Sequence, residues 1–101
     1  MQSPAEKLGA ANAAIEAGNN LKALELLNEL VDSHPSAWAY GARARLHLEM
    51  GDDIAALADC EAGLEIAPDH REMTWMATEL KKPAGRRFQG RFANPPDKGE
   101  G

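Results

Sequence analysis

The side chains that could do chemistry in this chain are one cysteine, three histidines and two closely spaced acidic pairs. A cysteine can act as a nucleophile, histidines can hold zinc, and paired carboxylates can work as a general acid and base. Whether any of these chemistries is expected depends on the spacing of the residues. They are Cys60; His34, His47 and His70; Asp52 with Asp53; and Asp59 with Glu61.

The spacing of these residues does not favour catalysis or metal binding. The histidines lack a ligand pattern such as two histidines four positions apart on one helix. Asp52 and Asp53 precede an apolar helical pattern, where acids favour the helix dipole, and Asp59 and Glu61 are expected on a solvated surface. A serine-histidine-aspartate order, a glycine-rich phosphate loop and a nucleotide fingerprint are all missing from the sequence. The sequence therefore predicts no enzyme, no cofactor and no metal site.

Composition narrows the class of protein further. Apolar residues make up 44% of the chain, as in ordinary globular domains, and no apolar run approaches the roughly 20 residues that cross a bilayer. The first residues, MQSPAEKLGAANAAIEAG, lack the charged and apolar regions of a secretory signal. The single Cys60 cannot form an internal disulfide and is expected to be a buried structural thiol. The predicted location is the cytoplasm.

Charge is divided unevenly along the chain, which has a net charge of -5. Residues 1–80 carry fourteen acidic and five basic side chains, or -9, whereas residues 81–101 carry six basic and two acidic ones, or +4. An acidic body disfavours nucleic-acid binding because phosphate contacts need lysine and arginine in number. Nucleic-acid binding by the basic tail has to be considered separately.

Two stretches, AGNNLKALELLNELVDSHP at 17–35 and MGDDIAALADCEAGLEIAP at 50–68, repeat one pattern. A period of this size predicts helical hairpins, each of which covers the apolar face of its neighbour. The positions that match, each pair 33 residues apart, are Gly18 and Gly51, Ala23 and Ala56, Leu24 and Leu57, and Pro35 and Pro68.

Local signals predict five helices and no strand. A capping box at 3–6 opens the first helix, which runs to about residue 17, and Asn19 or Asn20 caps the second, which ends before Pro35. The third spans about 36–50, the fourth opens at Asp52 or Asp53 and ends before Pro68, and a second capping box at 69–72 opens the fifth. The apolar stripe predicted for the second helix consists of Leu21, Ala23, Leu24, Leu27, Leu30 and Val31.

The helix, glycine, helix, proline rhythm resembles the tetratricopeptide repeat. The small residues Ala11 and Ala44 and the pair Gly63-Leu64 also fit this resemblance, although the period of 33 is one residue shorter than usual. The resemblance implies an all-α, right-handed solenoid within residues 1–83. Its parts are two helix-turn-helix repeats at about 4–36 and 37–69 and a closing helix at 70–82. The glycine, proline, lysine and arginine content of residues 84–101 predicts a basic flexible tail after it.

In this family the first helices of the pairs form a concave wall that binds peptides. The resemblance therefore implies a non-catalytic protein-binding module of the adaptor, scaffold or co-chaperone type. Trp38 is either a peptide anchor or a half-buried packing residue beside Tyr40. The positions that match the concave wall are Leu8, Asn12, Ile15, Glu16, Trp38, Gly41, Arg45, Leu48, Glu49, Arg71, Thr74 and Thr78.

The carboxylate clamp of tetratricopeptide co-chaperones is matched only in part. Asn12 fits the clamp and Arg71 can stand for one of its lysines. Leu8, Ala42 and Trp75 stand where the clamp needs another lysine, a second asparagine and an arginine. We expect weak or no binding of a Glu-Glu-Val-Asp peptide, because each lost charge-assisted contact removes roughly 1.5–3 kcal/mol.

The last helix and the tail leave several alternatives open. Trp75 is either a docking or dimerisation surface at the open end of the solenoid or is covered by the tail. The tail, KKPAGRRFQGRFANPPDKGEG, is a linker, a ligand for the acidic body of the same or another copy, or a contact for RNA or DNA. The last possibility, a nucleic-acid accessory protein, is the alternative function. The tail residues able to make such contacts are Arg86, Arg87, Phe88, Arg91 and Phe92.

Overall fold

The computed structural model describes residues 3–88 and is all-helical over that range. This confirms the all-α class that the sequence predicts for that part of the chain. The elements are α1 (Pro4–Glu16), α2 (Asn20–Ser33), α3 (Ala37–Glu49), α4 (Asp53–Ile66), α5 (Arg71–Leu80) and a short 3-10 turn (Ala84–Arg86).

Side-chain caps begin the first four helices, and those of α1, α2 and α4 lie where the sequence predicts them. The capping box at α1 is complete: Ser3 Oγ accepts the Glu6 N–H at 3.1 Å, and the Ser3 N–H donates to Glu6 Oε1 at 2.8 Å. The other three caps are Asn19, Ser36 and Asp52, each of which accepts the backbone N–H three residues on. These bonds satisfy amides that a helix start leaves without partners.

The predicted capping box at α5 is wrong. His70 is the cap residue, and its Nδ1 accepts the Met73 N–H at 3.2 Å. Asp69 stands one position too early to cap this helix, and Glu72 instead forms an ion pair with Arg45 of α3. An imidazole nitrogen can replace the carboxylate oxygen because the cap needs only an acceptor near the free amides.

Short turns connect each helix to the next. The first and third turns contain Gly18 and Gly51, with φ of 79° and 84°, which glycine adopts without a steric penalty. Each helix packs on its neighbours in sequence. Within residues 3–88, no helix is both long and apolar enough to cross a membrane.

The core consists of two clusters of buried apolar residues. The cluster under α1, α2 and α3 contains Ala11, Ala23, Leu26, Leu27, Leu30, Val31, Ala39 and Leu46. The cluster between α3, α4 and α5 contains Ala44, Leu48, Ala56, Cys60, Met73, Met76, Ala77 and Leu80. Cys60 is fully buried, which confirms its predicted structural position.

The predicted stripe of α2 is wrong at Leu21. This side chain is 75% exposed, and Leu26 is buried in the core instead. Residues two apart on a helix point to nearly opposite faces, so Leu21 cannot share a face with the fully buried Ala23. Leu26 lies three residues after Ala23 and therefore faces the same neighbours.

Candidate functional site

A groove of about 390 Å³ lies between the end of α1, one face of α3 and the start of α5. The side chains on its walls come from three different helices. These residues are Asn12, Ile15, Glu16, Trp38, Gly41, Ala42, Arg45, Leu46, Glu49, His70 and Glu72.

Most of the groove positions inferred from the family resemblance on α1 and α3 do line this groove. The structure brings together Asn12, Ile15, Glu16, Trp38, Gly41, Arg45 and Glu49. Leu8 and Leu48 instead face the core: Leu8 packs on the cluster under α1 and α2, and Leu48 belongs to the other cluster. Both follow helical spacing, since Leu8 lies three residues before the buried Ala11 and Leu48 four residues after the buried Ala44.

The three inferred positions on α5 lie elsewhere. Arg71, Thr74 and Thr78 line a second hollow of about 350 Å³, together with Asp69 and Trp75. The hydroxyls of Thr74 and Thr78 donate to the backbone carbonyls of His70 and Thr74, both at 2.8 Å, so their hydrogens are used within the helix. The inferred wall is therefore divided between two hollows.

Sequence reasoning missed four residues of the groove. Ala42 and Leu46 lie beside inferred positions on α3, and a wider stripe on that helix would have included them. His70 and Glu72 reach the groove because α5 begins beside α3. No local pattern connects Glu72 with its partner Arg45, which lies 27 residues away in sequence.

The groove combines an aromatic side chain with charged ones. Trp38 is 44% exposed, so a large part of its surface is open to a ligand. Arg45 is engaged with Glu72, and this pair lies across the groove from α3 to α5. The groove can therefore bury an apolar or cationic side chain and hydrogen-bond an extended segment.

The start of the tail packs on α5. We call residues 84–88 the strap. The Phe88 ring meets Trp75 edge-to-face with centroids 5.4 Å apart, and the Phe88 N–H donates to Glu79 Oε1 at 2.8 Å. Arg87 donates to Asp53 Oδ2 at 2.8 Å and to the Lys82 carbonyl at 2.9 Å. The sequence left two alternatives for Trp75, a docking or dimerisation surface or a residue covered by the tail. The packing of the strap on Trp75 agrees with the second alternative.

The strap holds Phe88 in an unusual backbone conformation. Its φ of 53° is in the left-handed region, which costs a bulky residue about 1–3 kcal/mol. The ring contact and the bonds to Glu79 and Asp53 offset this cost. Arg86 is exposed, and the predicted contacts of Arg91 and Phe92 fall outside the described residues.

The expected solvated surface at Asp59 is wrong. Asp59 is only 4% exposed and takes two hydrogen bonds from Arg43, at 2.8 and 2.7 Å. Arg43 also donates to Asn28 Oδ1 at 3.0 Å, and His47 Nε2 lies 3.6 Å from Asp59. The hydrogen bonds to Asp59 raise the pKa of Arg43 above its ordinary value. These contacts join α2, α3 and α4: the bonds to Asp59 are partly buried, and the bond to Asn28 lies at the surface.

The remaining candidates for chemistry are separated in space. Burial, with a smaller effect of the Asp59 carboxylate, raises the pKa of the Cys60 thiol to about 12, so the reactive thiolate is scarce at neutral pH. Glu61 is exposed and lies 3.7 Å from Lys81, and His34 bonds its neighbour Ser33. Among residues 3–88, no three histidine, cysteine or acidic side chains are grouped so as to hold a metal ion.

Comparison with known proteins does not assign a family to this chain. Neither the protein-family models, nor the curated proteins, nor the solved structures with which it was compared give a match. The groove, the strap and the repeat pattern are therefore the features from which function can be inferred.

Proposed function

We propose that this chain is a tetratricopeptide-like solenoid that binds a segment of a partner protein in the groove. The 33-residue period and the packing of each helix on its neighbours in sequence support this architecture. The groove lies on α1 and α3, which are the first helices of the two repeats. The role is that of a non-catalytic adaptor, scaffold or co-chaperone, and the single cysteine favours the cytoplasm.

The observation that carries the proposal is the exposed Trp38 in a groove formed by three helices. A groove of about 390 Å³ falls within the range of ligand sites, which is roughly 300–1,000 Å³. Tryptophan is among the residues that contribute most to protein interfaces. Asn12 and Arg45 stand beside it and offer hydrogen-bond donors to a bound main chain.

A carboxylate clamp is not part of this proposal. Asn12 and Arg71 line different hollows, and Leu8 packs against the core. The donors that such a clamp would need do not converge on one point. This arrangement agrees with the expectation that a Glu-Glu-Val-Asp peptide binds weakly or not at all.

The nucleic-acid alternative gains no support from the strap. Arg87 bonds Asp53, and Phe88 packs on Trp75, so two of the five proposed contacts are engaged within the chain. Self-association through the end of the solenoid would likewise have to displace or extend the strap. Binding of a partner segment in the groove requires neither displacement nor extension of the strap.

A peptide selection tests the proposal. A random peptide library is displayed on phage, selected against the full chain, and the enriched peptides are measured by fluorescence anisotropy. We expect Trp38→Ala to weaken their binding by roughly tenfold or more, as for an aromatic hot spot. Ile54→Ala is the matched control because Ile54 is 86% exposed on α4, away from the groove. Peptides that bind the Trp38 variant as tightly as the native chain would refute the proposal.

A further inference from the structure

The charge balance of the groove indicates the chemistry of its occupant. Three glutamates and one arginine carry the full charges among the side chains that line the groove. They are Glu16, Glu49, Glu72 and Arg45. Arg45 and Glu72 form an ion pair and neutralise each other. Glu16 and Glu49 remain as an excess of negative charge.

Glu16 and Glu49 have no cationic partner within residues 3–88. Both are exposed, and neither takes part in an ion pair or side-chain hydrogen bond in that range. Each is the last residue of its helix, α1 or α3, where the helix dipole adds partial negative charge. The last turn of α1 holds no basic residue, and that of α3 holds only His47. The two carboxylates therefore face solvent at the negative ends of two helices.

Trp38 lies in the same groove as these carboxylates. The face of an indole ring attracts a guanidinium or ammonium group, and tryptophan is the strongest of the aromatic residues in this respect. An arginine beside Trp38 would keep a favourable electrostatic contact while its methylene groups cover the ring. The aromatic and the acidic residues thus favour the same type of ligand.

We infer that the groove binds a partner segment rich in arginine or lysine. This inference rests on the proposed function, since it names the class of peptide that the same groove takes. Opposite charge on the two partners accelerates association and disfavours acidic competitors. An acidic segment would bring further carboxylates to Glu16 and Glu49 and is selected against.

The test uses labelled peptides that differ only in charge. They share a leucine, serine and glycine framework, and their variable positions hold arginine, glutamine or glutamate. Fluorescence anisotropy with the full chain should give the arginine peptide an affinity roughly tenfold above that of the glutamine peptide, and the difference should shrink at high salt. The glutamate peptide should bind most weakly.

Two double variants locate the effect. Glu16→Gln with Glu49→Gln should reduce the preference for arginine to about twofold or less. Asp32→Asn with Glu65→Gln removes the same charge from exposed positions outside the groove and should leave the preference intact. Equal losses in both variants would show general attraction to an acidic protein and overturn the inference.

Other outcomes separate this inference from the proposed function. If the glutamine or glutamate peptide binds as tightly as the arginine peptide and depends on Trp38, the inference is overturned while the peptide-binding groove stands. If none of the peptides binds, the inference is overturned, and the library selection still decides the function. If light scattering shows a dimer that the Glu16 and Glu49 variant dissociates, the occupant is a second copy and the inference is again overturned.

Discussion

Arg43 connects three helices through a single guanidinium group. It bonds both carboxylate oxygens of Asp59 on α4 and the amide oxygen of Asn28 on α2, while its own backbone belongs to α3. Its guanidinium also lies 5.9 Å from the centre of the Tyr40 ring. The Arg43–Asp59 pair fixes α3 against α4 below the surface, behind the face of α3 that lines the groove.

Loss of one partner of this pair should be costly. We expect Asp59→Ala to lower the free energy of unfolding by about 3 kcal/mol, because Arg43 would keep a largely buried charge without its counter-ion. Urea denaturation followed by circular dichroism measures the change. Glu72→Ala breaks the more exposed pair with Arg45 and should cost about 1 kcal/mol or less. Equal losses for the two variants would contradict this account.

Asp59 also shows that the burial of a residue cannot always be predicted from its neighbours in sequence. An aspartate two residues before a glutamate in a helix is typical of a solvated surface, and Glu61 is indeed exposed. Asp59 is buried because Arg43, 16 residues earlier, reaches it from another helix. Such a pairing depends on how α3 and α4 pack, and local periodicity does not contain that information.

At the scale of the helices, the residues that cap the helix starts were the most predictable part of the chain. Asparagine and aspartate before apolar runs identified the caps of α2 and α4, because these side chains satisfy free amides locally. The cap of α5 was assigned to Asp69, one residue too early, because histidine is not a usual cap residue. Leu21 was misplaced because a wide apolar stripe in α2 allowed it either face.

The glycine at the end of α3 should matter for its backbone conformation alone. Gly51 has a φ of 84°, and a Cβ there would meet no atom within 4 Å. We therefore expect Gly51→Ala to destabilise the chain by about 1 kcal/mol through strain at positive φ. Gly9→Ala is the matched control: Gly9 lies inside α1 with open space around it, so alanine should stabilise by about 0.5–1 kcal/mol. Thermal unfolding of both variants measures the two signs, and a stabilised Gly51 variant would disprove the turn argument.

At the scale of the whole molecule, the sequence predicted the groove only in part. The 33-residue repeat and the family resemblance indicated which faces of α1 and α3 would be shared, and seven inferred residues line the groove. The position of α5 was harder to predict because, within residues 3–88, no further α-helix follows it. Its outward face carries a separate hollow, and the strap packs against Trp75 and Glu79 of the same helix.

Stability should depend on pH through Glu79, which bonds Lys82 on one side and the strap on the other. Its hydrogen bond with Lys82, and secondarily the N–H of Phe88, holds the pKa of this carboxyl below its ordinary value. A lowered folded-state pKa stabilises the fold above the unfolded-state pKa, and this contribution is lost as the pH falls through the folded-state value. Glu79→Gln should therefore cost roughly 1 kcal/mol at neutral pH and progressively less below about pH 4.

Urea denaturation of the native chain and the Glu79 variant at neutral and acidic pH measures the difference in unfolding free energy between them, which should become smaller as the pH falls. Glu65→Gln is the control, because Glu65 is exposed and has no ion-pair partner within residues 3–88.

In a Trp38→Phe background, the fluorescence of Trp75 should shift to longer wavelength when Phe88→Ala removes the ring that covers it. A stability difference that does not change with pH would contradict the role of Glu79, and unchanged Trp75 emission would show that the strap does not cover the end of the helical stack.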